Sequence, residues 1–282
     1  MEIQWPLVFF TLLTGLGAGA FAFVALTEWL GKAERTRLPG ASTALVAMAA
    51  GGVASVFHLG HLERIFNVLN NLRSGIAQEM ILIGLTGLAI VVYIIVVRLG
   101  YSAQVRKIVA LVGLVLATLL AIAIGKSYVL AARPAWNTWL LPLLYFVSAA
   151  VLGLFTIYIW AALRKEEEAT VLAVNRATLI TLAVQAVVVV AYVVYLAVAP
   201  FPNPLRSASR LLAGDLAPVF WGGLVVVGLL IPLGLTAWFF VAKKKVLPSL
   251  VVAVVGLVCV LVGGGAFRAL MYILGSSIEK FS

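Results

Sequence analysis

Charge is what this sequence has least of. Only 11% of its 282 residues are Asp, Glu, Lys or Arg, while 64% are hydrophobic and the mean hydropathy is +1.16. A soluble domain carries roughly 25% charged residues, so a chain this poor in charge cannot cover a water-facing surface, and a soluble enzyme is excluded. Cysteine is nearly absent as well. Cys259 stands alone in the final apolar run, which excludes an intramolecular disulfide, a thiolate iron–sulfur cluster and a Cys-based zinc site in this chain. Histidine occurs only at His58 and His61, and residues three apart on a helix share one face. Opposed axial ligands for a b-type haem are therefore not available, and no haem is expected. No Lys or Arg precedes Lys32, so the basic start of a cleavable signal peptide is missing and the first apolar run is expected to remain as a helix. No stretch alternates polar and apolar over the roughly ten residues of a membrane barrel strand.

Long apolar runs are what is there. They cover 5–30, 42–59, 80–97, 108–124, 139–163, 177–198, 217–241 and 246–274, and about 20 residues suffice for a helix to cross a hydrocarbon core of about 30 Å. The expected fold is an all-α integral membrane protein, a single transmembrane helical domain over 1–282 with eight spanning helices and no room for a soluble domain. A net charge of +10 would suggest nucleic acid in a soluble protein. Here the twenty Lys and Arg sit in twos and threes between apolar runs, so they read as topology signals, and no nucleic-acid partner is expected. Twelve fall in connections one, three, five and seven: Lys32, Arg35, Arg37; Arg98, Arg106, Lys107; Arg164, Lys165, Arg176; Lys243, Lys244, Lys245. That excess places the odd connections in the cytoplasm and both termini outside.

The outer connections carry the chemistry. His58 and His61 stand where the second span ends, and Leu62, Ile65, Phe66, Leu69 and Leu72 then recur at helical spacing, with Arg64, Asn67, Asn70, Asn71 and Arg73 largely elsewhere. This predicts a short interfacial amphipathic helix between spans two and three. Glu79 opens the third span. Because spans two and three form a hairpin, His58 and Glu79 share one membrane depth. A histidine and a carboxylate at a lipid-accessible boundary can hold a quinol oxygen and pass its proton to water. The plainer readings are a histidine bonded to a backbone carbonyl and an acidic residue in the first turn of a helix. Glu28, near the inner end of the first span, is expected to snorkel to the cytoplasmic interface. Arg268, the only basic residue deep in the last run, is either a snorkelling anchor or a partner for Glu79 or a quinone oxygen. In the fourth connection Trp136 fits an aromatic belt, with Asn137 or Thr138 capping the fifth span. Trp and Arg anchor many interfaces, so Trp136, Asn137, Arg206 and Arg210 are expected to meet a soluble partner on the outer face, where connection six packs over the surface.

Together these pieces resemble the membrane anchor subunits of dimethyl sulfoxide reductase, the DmsC family, which are related to polysulfide-reductase type anchors. The matching segments are His58-Leu59-Gly60, Arg64 with the following Asn-Leu-Asn, Ser74 and Glu79, Pro134-Ala135-Trp136-Asn137-Thr138, Leu211-Leu212-Ala213-Gly214 with Phe220-Trp221, and Arg268. Leu62 stands where the family commonly has Pro, and Gln78 where it has a basic residue. The resemblance implies a haem-free subunit in a prokaryotic cell membrane, without complete activity alone. Such a subunit oxidises menaquinol and passes electrons to a four-cluster iron–sulfur subunit, which feeds a molybdopterin (or tungstopterin) catalytic subunit. It also implies that His58 and Glu79 are the quinol-site residues. The competing reading is a secondary transporter coupled through Glu28, Glu79 and Arg268, against which the midplane carries few ionisable or unwound segments.

Overall fold

A computed structural model describes residues 3–57, 67, 70–199, 202–241 and 249–275. Among them every regular element is helical: α1 Trp5–Leu30, α2 Glu34–Val56, α3 Gly75–Arg98, α4 Ala103–Lys126, α5 Leu140–Leu163, α6 Glu168–Val198, α7 Pro202–Ala213, α8 Pro218–Val241 and α9 Ser249–Leu274. All but α7 are long and apolar enough to cross a membrane. Side chains on the outside of the bundle are apolar, as Val46, Leu88, Val187 and Val190 at 60 to 68% exposure show, which is the surface hydrocarbon requires and water would reject. Two interior threonines return their hydroxyls to the preceding turn, Thr156 to Leu152 O at 2.9 Å and Thr178 to Val174 O at 2.8 Å, so these two add no unmet polarity.

The most enclosed helices are α1 and α5. α1 packs on α2 and α4, with α3 outside them, while α5 packs on α6 and α9, with α8 closing against α9. At the α1–α5 crossing a Cβ on Gly19 would strike the Ala149 carbonyl, and one on Gly153 would strike the Gly19 backbone. Lipid gives two helices no hydrophobic reason to associate, so this backbone-to-backbone approach supplies the dispersion contact that holds them. The first half of α8, Pro218–Leu230, is wound wide, and the Ile231 N–H closes it by donating to Val226 O five residues back.

α2 begins eight residues before the start of the apolar run, because the charges that end a hydropathy count are accommodated inside. Glu28 is 2% exposed. Its Oε2 accepts from Arg37 Nη1 at 3.0 Å and Tyr93 Oη at 2.8 Å, and its Oε1 accepts from Arg106 Nε at 3.2 Å. The expectation that Glu28 snorkels to the interface is thereby corrected: α1, α2, α3 and α4 each contribute to one buried ionic cluster, and a buried carboxylate with both oxygens engaged has no need of water.

The amphipathic segment expected after His61 falls almost wholly outside the described residues. α7 is an amphipathic helix that the apolar pattern did not announce. Pro204, Ser207, Ala208 and Leu211 are buried at helical spacing while Leu205, Arg206, Ser209 and Leu212 are exposed. Its inward face is mostly small or polar, which hid it. The polypeptide enters α1 and leaves α9 at one end of the bundle, since Thr11 of α1 meets Arg268 of α9. Starts and ends of successive helices alternate accordingly.

Removing one member of a buried ionic cluster leaves an uncompensated charge and costs about 3–5 kcal/mol. Glu28→Gln is therefore expected to lower the thermal stability and the amount of protein in membranes, measured by heating solubilised membranes and quantifying what stays soluble. Unchanged melting would mean the cluster is dispensable.

Candidate functional site

At the end of the bundle where α3 begins and α4 ends, Ser74 caps α3, its Oγ accepting from Ala77 N at 3.1 Å. Gly75 lies so close to Ser127 that a Cβ there would stand 3.1 Å from the Ser127 Cα. This contact brings the start of α3 onto the residues that follow α4. Glu79 is the fifth residue of α3, not a first-turn anion. It is 6% exposed, and its Oε1 has no hydrogen-bond partner among the described residues. The Ser127 hydroxyl faces it while donating to Ile124 O at 2.8 Å. The other buried oxygens without partners among the described residues belong to Thr14, Thr86, Tyr158, Asn175 and Gln185, so Glu79 is the one carboxyl in that set.

Behind Glu79 stands an aromatic cluster. Tyr128 and Tyr272 share a hydroxyl–hydroxyl bond of 2.7 Å. The Tyr128 ring stacks on Tyr145 at 5.6 Å and meets Trp136 and Tyr272 edge-on. Burial raises the Tyr128 phenol well above its usual range, so it remains a neutral donor. Arg268 is fully buried. Its Nε donates to Thr11 Oγ1 at 2.9 Å, its Nη1 to Gly264 O at 3.0 Å, and its guanidinium lies 4.8 Å from the Tyr145 ring centre. The snorkelling reading of Arg268 is corrected, and so is a direct pair with Glu79. Arg268 and Glu79 form no ion pair with each other.

Connection 127–139 is pinned from two helices. The Trp136 indole N–H donates to Met271 O at 2.9 Å, Tyr192 Oη donates to Ala135 O at 2.9 Å, and Tyr195 Oη donates to Pro134 O at 3.0 Å. Trp136 is 3% exposed, with Arg133 4.3 Å from its ring centre. It shapes the surface from within, which corrects its expected place as a docking anchor, whereas Asn137 is exposed. Trp139 is the N-cap of α5 in place of the expected Asn137 or Thr138, while Thr138 Oγ1 accepts from Leu140 N at 3.3 Å. On α7, Arg206 lies on the exposed face, and Arg210 grips Asp215 with two bonds of 2.8 and 2.6 Å. This guanidinium holds the Asp215 carboxyl below its usual range.

An apolar void of about 10 Å³ lies under α7, bounded by Leu144, Tyr192, Leu211, Phe220, Phe267 and Met271. That is room for about one water, so no quinone ring fits there. His58 and Arg64 lie outside the described residues. The last described residue of that approach, Phe57, is 78% exposed at the end of α2. Tyr128, Tyr145, Tyr272, Thr11 and Ser127 were not singled out from sequence. Tyrosines near span ends read as an aromatic belt, and only the packing of α4, α5 and α9 reveals a cluster.

The family model of DmsC, described as the DMSO reductase anchor subunit, matches residues 1–275, nearly the whole chain. No curated protein matches it.

Truncating a buried tryptophan costs about 3–5 kcal/mol, whereas an exposed substitution stays within about 0.5 kcal/mol. Trp136→Ala is expected to destabilise the isolated subunit strongly and Asn137→Ala hardly at all. Thermal melts of the two variants check this, and equal losses would place Trp136 at the surface.

Proposed function

The chain belongs to the DmsC family, the DMSO reductase anchor subunits, and from that premise we propose that it oxidises menaquinol at the Glu79 end of the bundle. It is a multi-pass protein of a prokaryotic cell membrane and the anchor of a DMSO reductase-type complex with catalytic and iron–sulfur subunits. The finer reading adds that the iron–sulfur partner carries four clusters and feeds a molybdopterin or tungstopterin catalytic subunit, and that this chain itself holds no haem and no cluster.

The observation that carries the reading is the buried Glu79 oxygen without a partner. A buried polar group left unmet is costly, and an ionisable residue in a membrane helix is a functional candidate by default. Quinol, when bound, supplies two electrons and two protons. His58, the second residue after α2 in the chain, hydrogen-bonds one quinol oxygen, and Glu79 takes up the two hydroxyl protons one after the other and returns each to water at the same boundary, while both electrons pass to the iron–sulfur partner. Ser127 steadies the carboxyl. Arg64, six residues after His58 in the chain, and Arg268, against the Tyr145 ring, are the further candidates for a quinone contact.

In this reading the Glu79 end faces outside, as the charge bias of the odd connections suggests, and both termini lie there. The soluble partners cover the same end, meeting Asn137, Arg206 and Arg210, because electrons must pass over a short gap. Protons and electrons then leave on one side, and the reaction by itself moves no charge across the membrane.

Replacing either proton-handling group should cost about 10²-fold or more in rate. His58→Ala and Glu79→Gln complexes are therefore expected to lose quinol-driven turnover while keeping the dye-driven activity of the catalytic subunit and the normal amount of complex. Normal quinol turnover in both would overturn the proposal, and parallel loss of both activities would assign these residues to assembly.

A further inference from the structure

At the opposite end, a groove of about 440 Å³ opens on the outside of the bundle between α2 and α5, next to the end of α3. Leu38, Pro39, Ser42, Thr43, Val46 and Trp160 line it, together with Arg98 at the end of α3 and Arg164 just after α5, which mark its mouth. Both arginines are exposed. Neither forms an ion pair among the described residues. Arg164 is held over the Trp160 ring at 5.6 Å, so one cation is fixed to the wall of the groove itself. Two of its uncharged polar side chains are already engaged, Trp160 Nε1 donating to Thr43 Oγ1 at 2.9 Å and Thr43 Oγ1 donating to Pro39 O at 2.9 Å. Apart from the Ser42 hydroxyl, what the floor offers an occupant is hydrocarbon. From Leu38 to Val46 it runs about 12 Å along α2 at 1.5 Å per residue, a length suited to part of an acyl chain, and Val46 is 67% exposed to the bilayer.

Among the described residues the lining contains no His, Asp or Glu, so none of them could accept a proton from a quinol. An occupant must be negative at the mouth and apolar below. We propose that this groove binds one anionic phospholipid, with its phosphate between Arg98 and Arg164 and an acyl chain along Leu38, Pro39 and Val46. Basic pockets between spanning helices at the membrane surface suit such headgroups, and each arginine near the surface favours them roughly five-fold. The site is independent of the quinol reading, because it lies at the other end of the bundle and shares no residue with it.

The test is native mass spectrometry of the delipidated intact complex titrated with phosphatidylglycerol or phosphatidylcholine. One phosphatidylglycerol is expected to bind at least several-fold more tightly than phosphatidylcholine. Arg98→Gln with Arg164→Gln is expected to abolish that preference while quinol-driven turnover persists. The charge-matched pair Lys32→Gln with Arg176→Gln, at the same end but outside the groove, should leave it intact. Equal binding of the two lipids, equal loss in both pairs, or displacement by a quinone analogue would overturn the proposal. So would displacement by millimolar inorganic phosphate, since the acyl chain would then contribute nothing.

Discussion

Hydrocarbon offers no hydrogen bonds, so every polar group inside this bundle has to find its partner within the chain. Two glutamates answer that constraint in opposite ways. Glu28 has both carboxylate oxygens engaged by Arg37, Tyr93 and Arg106, which ties four helices together and leaves it nothing further to bind. Glu79 is also buried but keeps an oxygen without a described partner. A residue of the first kind holds a fold, and one of the second kind is suited to handle a proton. The same contrast removes Glu28 from the coupling groups that a transporter would require.

The rest of the architecture positions that exception. The glycine crossing of α1 and α5 brings Thr11 and Tyr145 together around Arg268. From there the stacked rings of Tyr145 and Tyr128 and the Tyr128–Tyr272 bond extend a rigid, neutral hydrogen-bonding wall toward Glu79. Trp136, Tyr192 and Tyr195 then fasten the connection above it. A surface so firmly held from beneath is a suitable platform for a rigid partner, because little ordering remains to be done on binding.

Hydropathy alone made the eight crossings legible, since a run of twenty apolar residues has few alternatives. It failed where polar residues are satisfied by tertiary contacts that no window can see. The start of α2 was set too late because Arg37 counts as a stop until Glu28 is found beside it, and Arg268 looked like an anchor because Thr11 lies 257 positions away in the chain. α7 escaped because its buried stripe of Pro204, Ser207, Ala208 and Leu211 is barely apolar. Trp136 was placed outside because a tryptophan beside Asn and Pro has the same sequence context whether it faces a partner or its own α9. Glu79 was legible for the opposite reason: a carboxylate at the mouth of an apolar run is conspicuous in sequence and in structure alike.

The central claim is that quinol meets this chain at the Glu79 end. A photoreactive menaquinone analogue, cross-linked in the intact complex and mapped by peptide mass spectrometry, tests it directly. The account predicts label on the segment from Phe57 through Glu79 and on the Tyr128 or Tyr272 peptides, reduced by excess unlabelled quinone. Specific label confined to the Glu28 end, or to the Arg98–Arg164 groove, would contradict it.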